Sequence, residues 1–175
     1  AIARPRRVFK FGEFYNEDCN DTISRLPDNS IDLVFTSPPY YNAREYSQYD
    51  GVAEYMLQME RVFVGIERVL KHSRMCVINI SPVLVEREKR SEQSYRIPLP
   101  FYFVPMMEKI GFELLEDIIW KKPDGAAANR NGGFYHHRKP VAYKPNIVTE
   151  YVLVFKKKAN FLIDKVLQNN SLVGD

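Results

Sequence analysis

The sequence predicts an α/β domain whose sheet is mostly parallel, with an antiparallel pair at one edge. Three observations carry that expectation. Short apolar runs of strand length alternate with stretches of helical periodicity, in the order strand, helix, strand, helix, strand. The last two strand-like runs are joined by a long loop without a convincing helix, which suits antiparallel rather than crossover pairing. Finally, 175 residues, 45% of them hydrophobic and 27% charged, suit one ordinary domain.

Taken in order, Phe11 to Tyr15 reads as a strand closed by the polar run Asn16 to Asp21. Thr22 to Leu26 reads as a short helix with Asp21 as its N-cap. Pro27-Asp28-Asn29-Ser30 is a turn, because Pro presets φ and Asp and Asn side chains bond their own backbone. Ile31 to Thr36 is short and mostly apolar, as expected of a strand buried on both faces. Pro38 and Pro39 stop it, having no N–H to give to a ladder. Tyr55, Met59, Val62, Phe63, Ile66, Val69 and Leu70 recur at helical spacing, with Glu54, Glu60, Arg61, Glu67 and Arg68 largely between them. Met75 to Ile80 is a second buried strand, and polar Glu86 to Ser94 an exposed loop. Phe101 to Ile110 is a helix with Gly111 at its C′ position, and Pro105 argues for confining it to its second half. Phe112 to Trp120 and Thr149 to Phe155 are strands, the latter alternating Tyr, Val and Phe.

Composition excludes several classes. Eleven prolines and eight glycines are too few for a collagen-like or low-complexity chain. No apolar run approaches the ~18 residues of a membrane span, and Ala1 to Arg7 lacks the apolar core of a secretory signal. Cys19 and Cys76, far apart, make neither a disulfide framework nor a metal knuckle and suit a reducing cytoplasm. His136-His137 has no Cys or carboxylate partner at zinc spacing, so no metal site is expected. The first residue is not methionine, which points to a piece of something longer.

In open α/β sheets ligands bind beyond the carboxyl ends of the strands. That rule directs attention to Asp18, to Thr36 through Tyr40, and to Asn79-Ile80-Ser81-Pro82. In Ser37-Pro38-Pro39-Tyr40 the two prolines stiffen the backbone and donate nothing, so nearby carbonyls can be held facing a ligand. The serine hydroxyl adds an acceptor and the tyrosine a flat face, a combination suited to a planar ligand carrying an amino group. Four residues alone favour the simpler reading, a strand-ending turn over a buried tyrosine. Tyr41, Tyr46 and Tyr49 follow closely and could line either side of such a pocket.

The net charge is only +3, but basic residues cluster. Arg4, Arg6, Arg7 and Lys10 form one group. Lys121, Lys122, Arg130, His136, His137, Arg138, Lys139 and Lys144 form another, opposed only by Asp124, in a stretch loosened by Gly125, Gly132 and Gly133. The second cluster can track phosphates of a nucleic acid, or serve as a solvated charged loop.

The run Asp32-Leu33-Val34-Phe35-Thr36-Ser37-Pro38-Pro39-Tyr40 resembles the catalytic motif of the DNA amino-methyltransferases, which methylate an exocyclic amine of cytosine or adenine from S-adenosylmethionine. Tyr15 to Cys19, Leu26 to Asp32, Phe63 to Lys71, Gly111-Phe112, Ile119 to Pro123 and Glu150 to Lys156 are similar to the family's flanking blocks, in its order. The resemblance implies a Rossmann-like methyltransferase sheet. It implies that Ser37, the Pro38 carbonyl, Pro39 and Tyr40 form the catalytic pocket, with Tyr40 stacking on a base flipped out of duplex DNA. It further implies direct attack by the amine on the cofactor's methyl group, with no covalent enzyme intermediate and no metal. Asp18 and Thr36 match cofactor-binding positions, Asp18 on the adenosine side. Lys121, Lys122, Arg130, Arg138 and Lys139 would contact DNA. Serine before Pro-Pro tilts the target toward cytosine N4, within a restriction-modification system; adenine N6 is the alternative, and a non-catalytic DNA-binding remnant a third reading.

The family's Phe-x-Gly-x-Gly cofactor loop has no counterpart among the eight glycines. The order of blocks matches a permuted subgroup in which the catalytic motif precedes that loop. The expected organisation is therefore a basic arm over residues 1–10, the catalytic part of the domain over 11–158, and the start of a linker or target-recognition region over 159–175. The sheet is expected to lack central strands, which a missing C-terminal segment or a second polypeptide would supply together with the cofactor loop.

Overall fold

Helix α1 (Cys19–Arg25) leads into strand β1 (Ile31–Thr36), followed by α2 (Val52–Val69), β2 (Leu70–Ile80), β3 (Val83–Val85), β4 (Tyr95–Ile97) and α3 (Leu99–Ile110). The chain continues through β5 (Phe112–Lys121), β6 (Gly133–Tyr135), β7 (Ala142–Lys144) and β8 (Thr149–Lys157). This computed structural model describes residues 12–41, 49–87, 89, 91–123, 133–135, 142–144 and 148–159. Among them β1, β2, β8 and β5 form one sheet in that order, while β3–β4 and β6–β7 form two-stranded ribbons. Strand β1 runs parallel to β2, and β8 lies antiparallel to both β2 and β5. The mixed α/β architecture and the antiparallel pair at the edge are as the sequence predicts.

The core forms on one face. Tyr55, Met59, Phe63, Ile66 and Val69, three or four residues apart on α2, are all buried. With Leu99, Phe103, Met106 and Met107 of α3, the first four of these α2 residues cover Cys76, Ile78 and Ile80 of β2 and Leu153 and Phe155 of β8. Each large apolar side chain so covered contributes about 1.5–3 kcal/mol, and Phe63 meets Phe103 edge to face at 5.8 Å.

Long-range polar contacts fix the entry to β1. The Arg68 guanidinium donates to the carbonyls of Ile23 and Leu26, at 2.8 and 3.0 Å, and to the Asp28 carboxylate at 2.5 Å, which pins the end of α1. Asn29 takes a left-handed turn conformation, φ 50°, that Asn tolerates. The Lys157 ammonium, 4% exposed, donates to Asn29 Oδ1 and to the carbonyls of Glu67 and Leu70, joining the last strand to the turn before the first. Gly65 lets α1 lie on α2, since a Cβ there would sit 2.9 Å from Ile23 Cγ2.

Several expectations change. Phe11 lies outside the described residues, and residues 12–16 form no strand. A strand needs a neighbour for its N–H and C=O groups, and none of the described residues offers one there. The described sheet accordingly has no central gap; it stops at β1, whose outer edge takes no strand among the described residues. Asp18, not Asp21, caps α1: its Oδ1 accepts the Asn20 N–H at 2.8 Å, so the helix starts three residues earlier than expected. Strand β1 is covered on one face rather than two, with Leu33 and Phe35 58% and 67% exposed. They share that face with Met75, Ile118 and Trp120, all at least 45% exposed, through the cross-strand register. Helix α3 starts at Leu99 and runs through Pro105. The bond Pro105 cannot make would go to Phe101, and both residues face solvent, where water can take the carbonyl. Hairpin strands β3 and β4, not expected, flank the segment 86–94, whose described residues are exposed except half-buried Ser94, and β6–β7 form a ribbon inside the basic stretch. Cys19 is exposed rather than a core residue, while Cys76 is buried. The 1–10 arm and residues 160–175 lie outside the described residues.

Candidate active site

The carboxyl end of β1 delivers Thr36 and then Ser37-Pro38-Pro39-Tyr40 to the rim of the sheet. Pro38 is buried, Ser37 and Pro39 are exposed, and Tyr40 is half-buried. The N-terminus of α1 brings Asp18 to the same place. Between them lies a groove of about 580 Å³ lined by Asp18, Thr36, Ser37, Pro38 and Pro39 on its polar side. Ile23, Val34, Met59, Val62 and Phe63 line it from α1, β1 and α2. The volume falls in the usual range for small-molecule sites, roughly 300–1,000 Å³. One Asp18 oxygen caps the helix, and the other takes no hydrogen bond among the described residues. An apolar trough with a carboxylate, two hydroxyls and proline carbonyls at its rim can hold a flat ligand body and bond its polar edge. The groove thus unites the two sequence-predicted cofactor residues with Ser37, Pro38 and Pro39.

Tyr40 turns toward a second cluster. Its hydroxyl donates to Glu150 Oε2 at 3.3 Å, the Asn79 side-chain amide donates to the same oxygen at 3.0 Å, and the Lys122 ammonium pairs with Oε1 at 2.6 Å. Glu150 is 7% exposed. Burial alone would push its carboxyl up, but the bonds from Lys122, Asn79 and Tyr40 outweigh burial and hold it below the ordinary value. Tyr40 is pushed up to about 12, by burial first and then by the Glu150 charge and hydrogen bond, so it stays a protonated donor. Asn79 Oδ1 is buried without a partner among the described residues.

Glu150 is not among the sequence-predicted site residues, although an acid near the start of the apolar run Tyr151 to Phe155 is a legible signal. Lys122 is expected from sequence to face DNA phosphates; its ammonium is instead engaged by Glu150, because a buried carboxylate draws the nearest cation. Lys121 ends β5 in an exposed position, and Arg130, Arg138 and Lys139 lie outside the described residues. Tyr41 stacks near Tyr49 at 6.3 Å, and both contact Tyr55 edge to face at 6.0 and 5.0 Å, forming an aromatic pad behind the motif. Tyr46 lies outside the described residues.

The sequence profile of a DNA methylase family matches residues 31–172 of the chain. The type II beta methyltransferase M.BslI of Bacillus sp. (strain NEB-606) is 35% identical over 147 residues, which cover 80% of this chain and 16% of that protein. The type II methyltransferase M.BglII of Bacillus subtilis is 30% identical over 118 residues, 67% of this chain and 31% of that one. The chain therefore spans between about a sixth and a third of the length of these relatives. Among solved structures, TTHA0409 of Thermus thermophilus, classed with the DNA modification methylases, matches 83% of this chain and 54% of its own at 25% identity and TM-score 0.62. The cytosine-N4-specific PvuII DNA methyltransferase matches 82% of this chain and 48% of its own at 22% identity and TM-score 0.60, a likeness of fold.

Proposed function

The chain belongs to the DNA methylase family whose profile it matches, and from that membership we propose that it carries the catalytic part of an S-adenosylmethionine-dependent DNA amino-methyltransferase acting on cytosine N4 in a restriction-modification system. The observation that carries this reading is the single groove joining Asp18 and Thr36 to Ser37-Pro38-Pro39.

The groove suits the adenosine part of the cofactor: an apolar trough for the purine, with Asp18 retaining one carboxylate oxygen for the ribose hydroxyls. When bound, S-adenosylmethionine supplies the activated methyl group that the target amine takes directly. The protein's own residues prepare the amine. The Ser37 hydroxyl and the Pro38 carbonyl accept hydrogen bonds from its N–H groups, which raises electron density on the nitrogen and fixes its direction. The Tyr40 ring stacks on the base, whose extrusion is required because the amine is otherwise paired inside the duplex. Lys121, with Arg130, Arg138 and Lys139, tracks phosphates near the flipped base. Serine at position 37 favours cytosine N4 over adenine N6.

No Gly-x-Gly stands in the sequence to receive the methionine part. That absence, the edge of β1 left unpaired among the described residues, and the apolar face carrying Leu33, Phe35, Met75, Ile118 and Trp120 support completion of the site by a further segment of the same protein or by a second polypeptide. Calorimetric titration with S-adenosylmethionine, on the purified polypeptide and on its complex with any copurifying partner, tests the reading. Binding in either form is expected. Absence of binding in both would favour a DNA-binding remnant instead.

A further inference from the structure

Glu150 gathers one side chain from the end of every other strand in the sheet. Tyr40 arrives from the loop after β1, Asn79 from β2 and Lys122 from the residue after β5, while Glu150 itself stands second on β8. Burying a carboxylate this deeply is costly unless donors compensate it, and here three do. Two of the contacts are of ordinary length, 2.6 Å to Lys122 and 3.0 Å to Asn79, so the carboxylate is held from behind. The third, 3.3 Å to the Tyr40 hydroxyl, exceeds the ordinary O–H···O range of about 2.5–3.0 Å. Hydrogen bonds at active sites are often long before substrate arrives and tighten when it does.

We propose that Glu150 is a positioning residue for Tyr40: it anchors the phenol hydroxyl so that the ring presents one fixed face to the extruded base, with Lys122 and Asn79 fixing the carboxylate in turn. This rests on Tyr40 being the stacking ring. A tyrosine has two side-chain torsions, and fixing the far end of the ring removes freedom that base binding would otherwise have to remove. The contribution therefore lies in capture of the base, since the hydroxyl of Tyr40 takes no part in the transfer. A carboxylate that merely stapled strand ends together would leave base capture unchanged once the protein had folded.

The test compares full-length wild type with Tyr40→Phe, Glu150→Gln and the double variant. Three quantities are measured: KM and kcat for duplex DNA, fluorescence of 2-aminopurine at the target position, and titration of the Tyr40 ring by NMR of [13Cζ]tyrosine. Each single variant is expected to raise KM about tenfold and dim the flipped-base signal, with kcat changed less than about threefold. The double variant is expected to be no worse than either, because both remove one contact. Glu150→Gln should also lower the Tyr40 titration from about 12, while burial, the larger cause, keeps it raised. Tyr40→Phe leaves Glu150 its other two donors, so it tests the anchor even if Glu150→Gln fails to fold. Additive effects, a Tyr40→Phe enzyme with wild-type KM, or an unmoved Tyr40 titration would each overturn the proposal. If wild type transfers no methyl group to DNA, the functional reading fails by itself, and the Tyr40 titration still decides whether the anchor exists.

Discussion

Lys157→Met probes whether a buried ammonium holds the two parallel strands at their start. Methionine keeps the apolar stem but removes the charge that donates to Asn29 Oδ1 at 3.0 Å and to the carbonyls of Glu67 and Leu70 at 2.6 and 2.9 Å. Asn29 is exposed and can turn to water, so its loss is small. The two carbonyls, the one of Leu70 in a fully buried contact, lose this donor at about 1–3 kcal/mol each. Glu67, which faces Lys157 at 3.4 Å, is partly exposed and keeps its solvation. Relief from burying the ammonium offsets part of this, leaving a net loss of roughly 2–4 kcal/mol. Urea unfolding reads it directly: with m near 1–3 kcal/mol/M, the midpoint should fall by about 1.5 M at constant m. A fall below about 0.3 M, or a rise, would show that the carbonyls find water and that Lys157 is a desolvated charge rather than a clamp.

Three further outcomes follow from the geometry. The Glu150 carboxyl titrates below its ordinary value of 4.5, so its contribution to stability is complete above about 4.5 and is lost as pH falls through the folded value; wild type should lose more stability than Glu150→Gln between roughly pH 5 and 3, and superimposable urea midpoints would refute the pairing. Gly65→Ala gains about 1 kcal/mol of helix propensity but sets a methyl 2.9 Å from Ile23 Cγ2, so the Ile23 side chain, which lines the groove, or α1 with it must shift. Cofactor affinity measured by calorimetry should then drop several-fold, and an unchanged affinity would separate α1 from the groove. Ser37→Ala should lower kcat about 10- to 100-fold by removing an acceptor for the amine, with cofactor affinity within about twofold; a kcat near wild type in rapid-quench assays would remove Ser37 from the chemistry.

What the sequence makes legible follows from how locally each feature is determined. Helix α2 is readable because five buried residues at helical spacing suffice to define it. The end of β1 is readable because Pro38 and Pro39 stop a ladder wherever they stand. Asp18 as cap is less so, since Asp18, Asn20 and Asp21 are all capping residues and only the backbone φ of −62° and ψ of 133° at Asp18 selects among them. The strand expected over Phe11 to Tyr15 is not formed over the described residues 12–15, because a strand is a property of a pair and none of the described residues offers a partner there. Apolar composition likewise cannot tell that Leu33 and Phe35 lie on an uncovered face. Glu150 is the clearest omission: Tyr40 and Glu150 are 110 positions apart, and their meeting depends on β8 entering between β2 and β5. Lys122 is hidden for the same reason, a surface charge by sequence and an inward one once Glu150 stands beside it.

The groove with its Ser-Pro-Pro rim, and Tyr40 beside it, are proposed to methylate the exocyclic amine of cytosine in DNA. Mass spectrometry of nucleosides from the DNA of a strain expressing the full-length protein tests that most directly. N4-methylcytosine is expected with wild type, and a marked reduction of it with Ser37→Ala. N6-methyladenine in its place would contradict the choice of base, and DNA without either modification would contradict the activity itself.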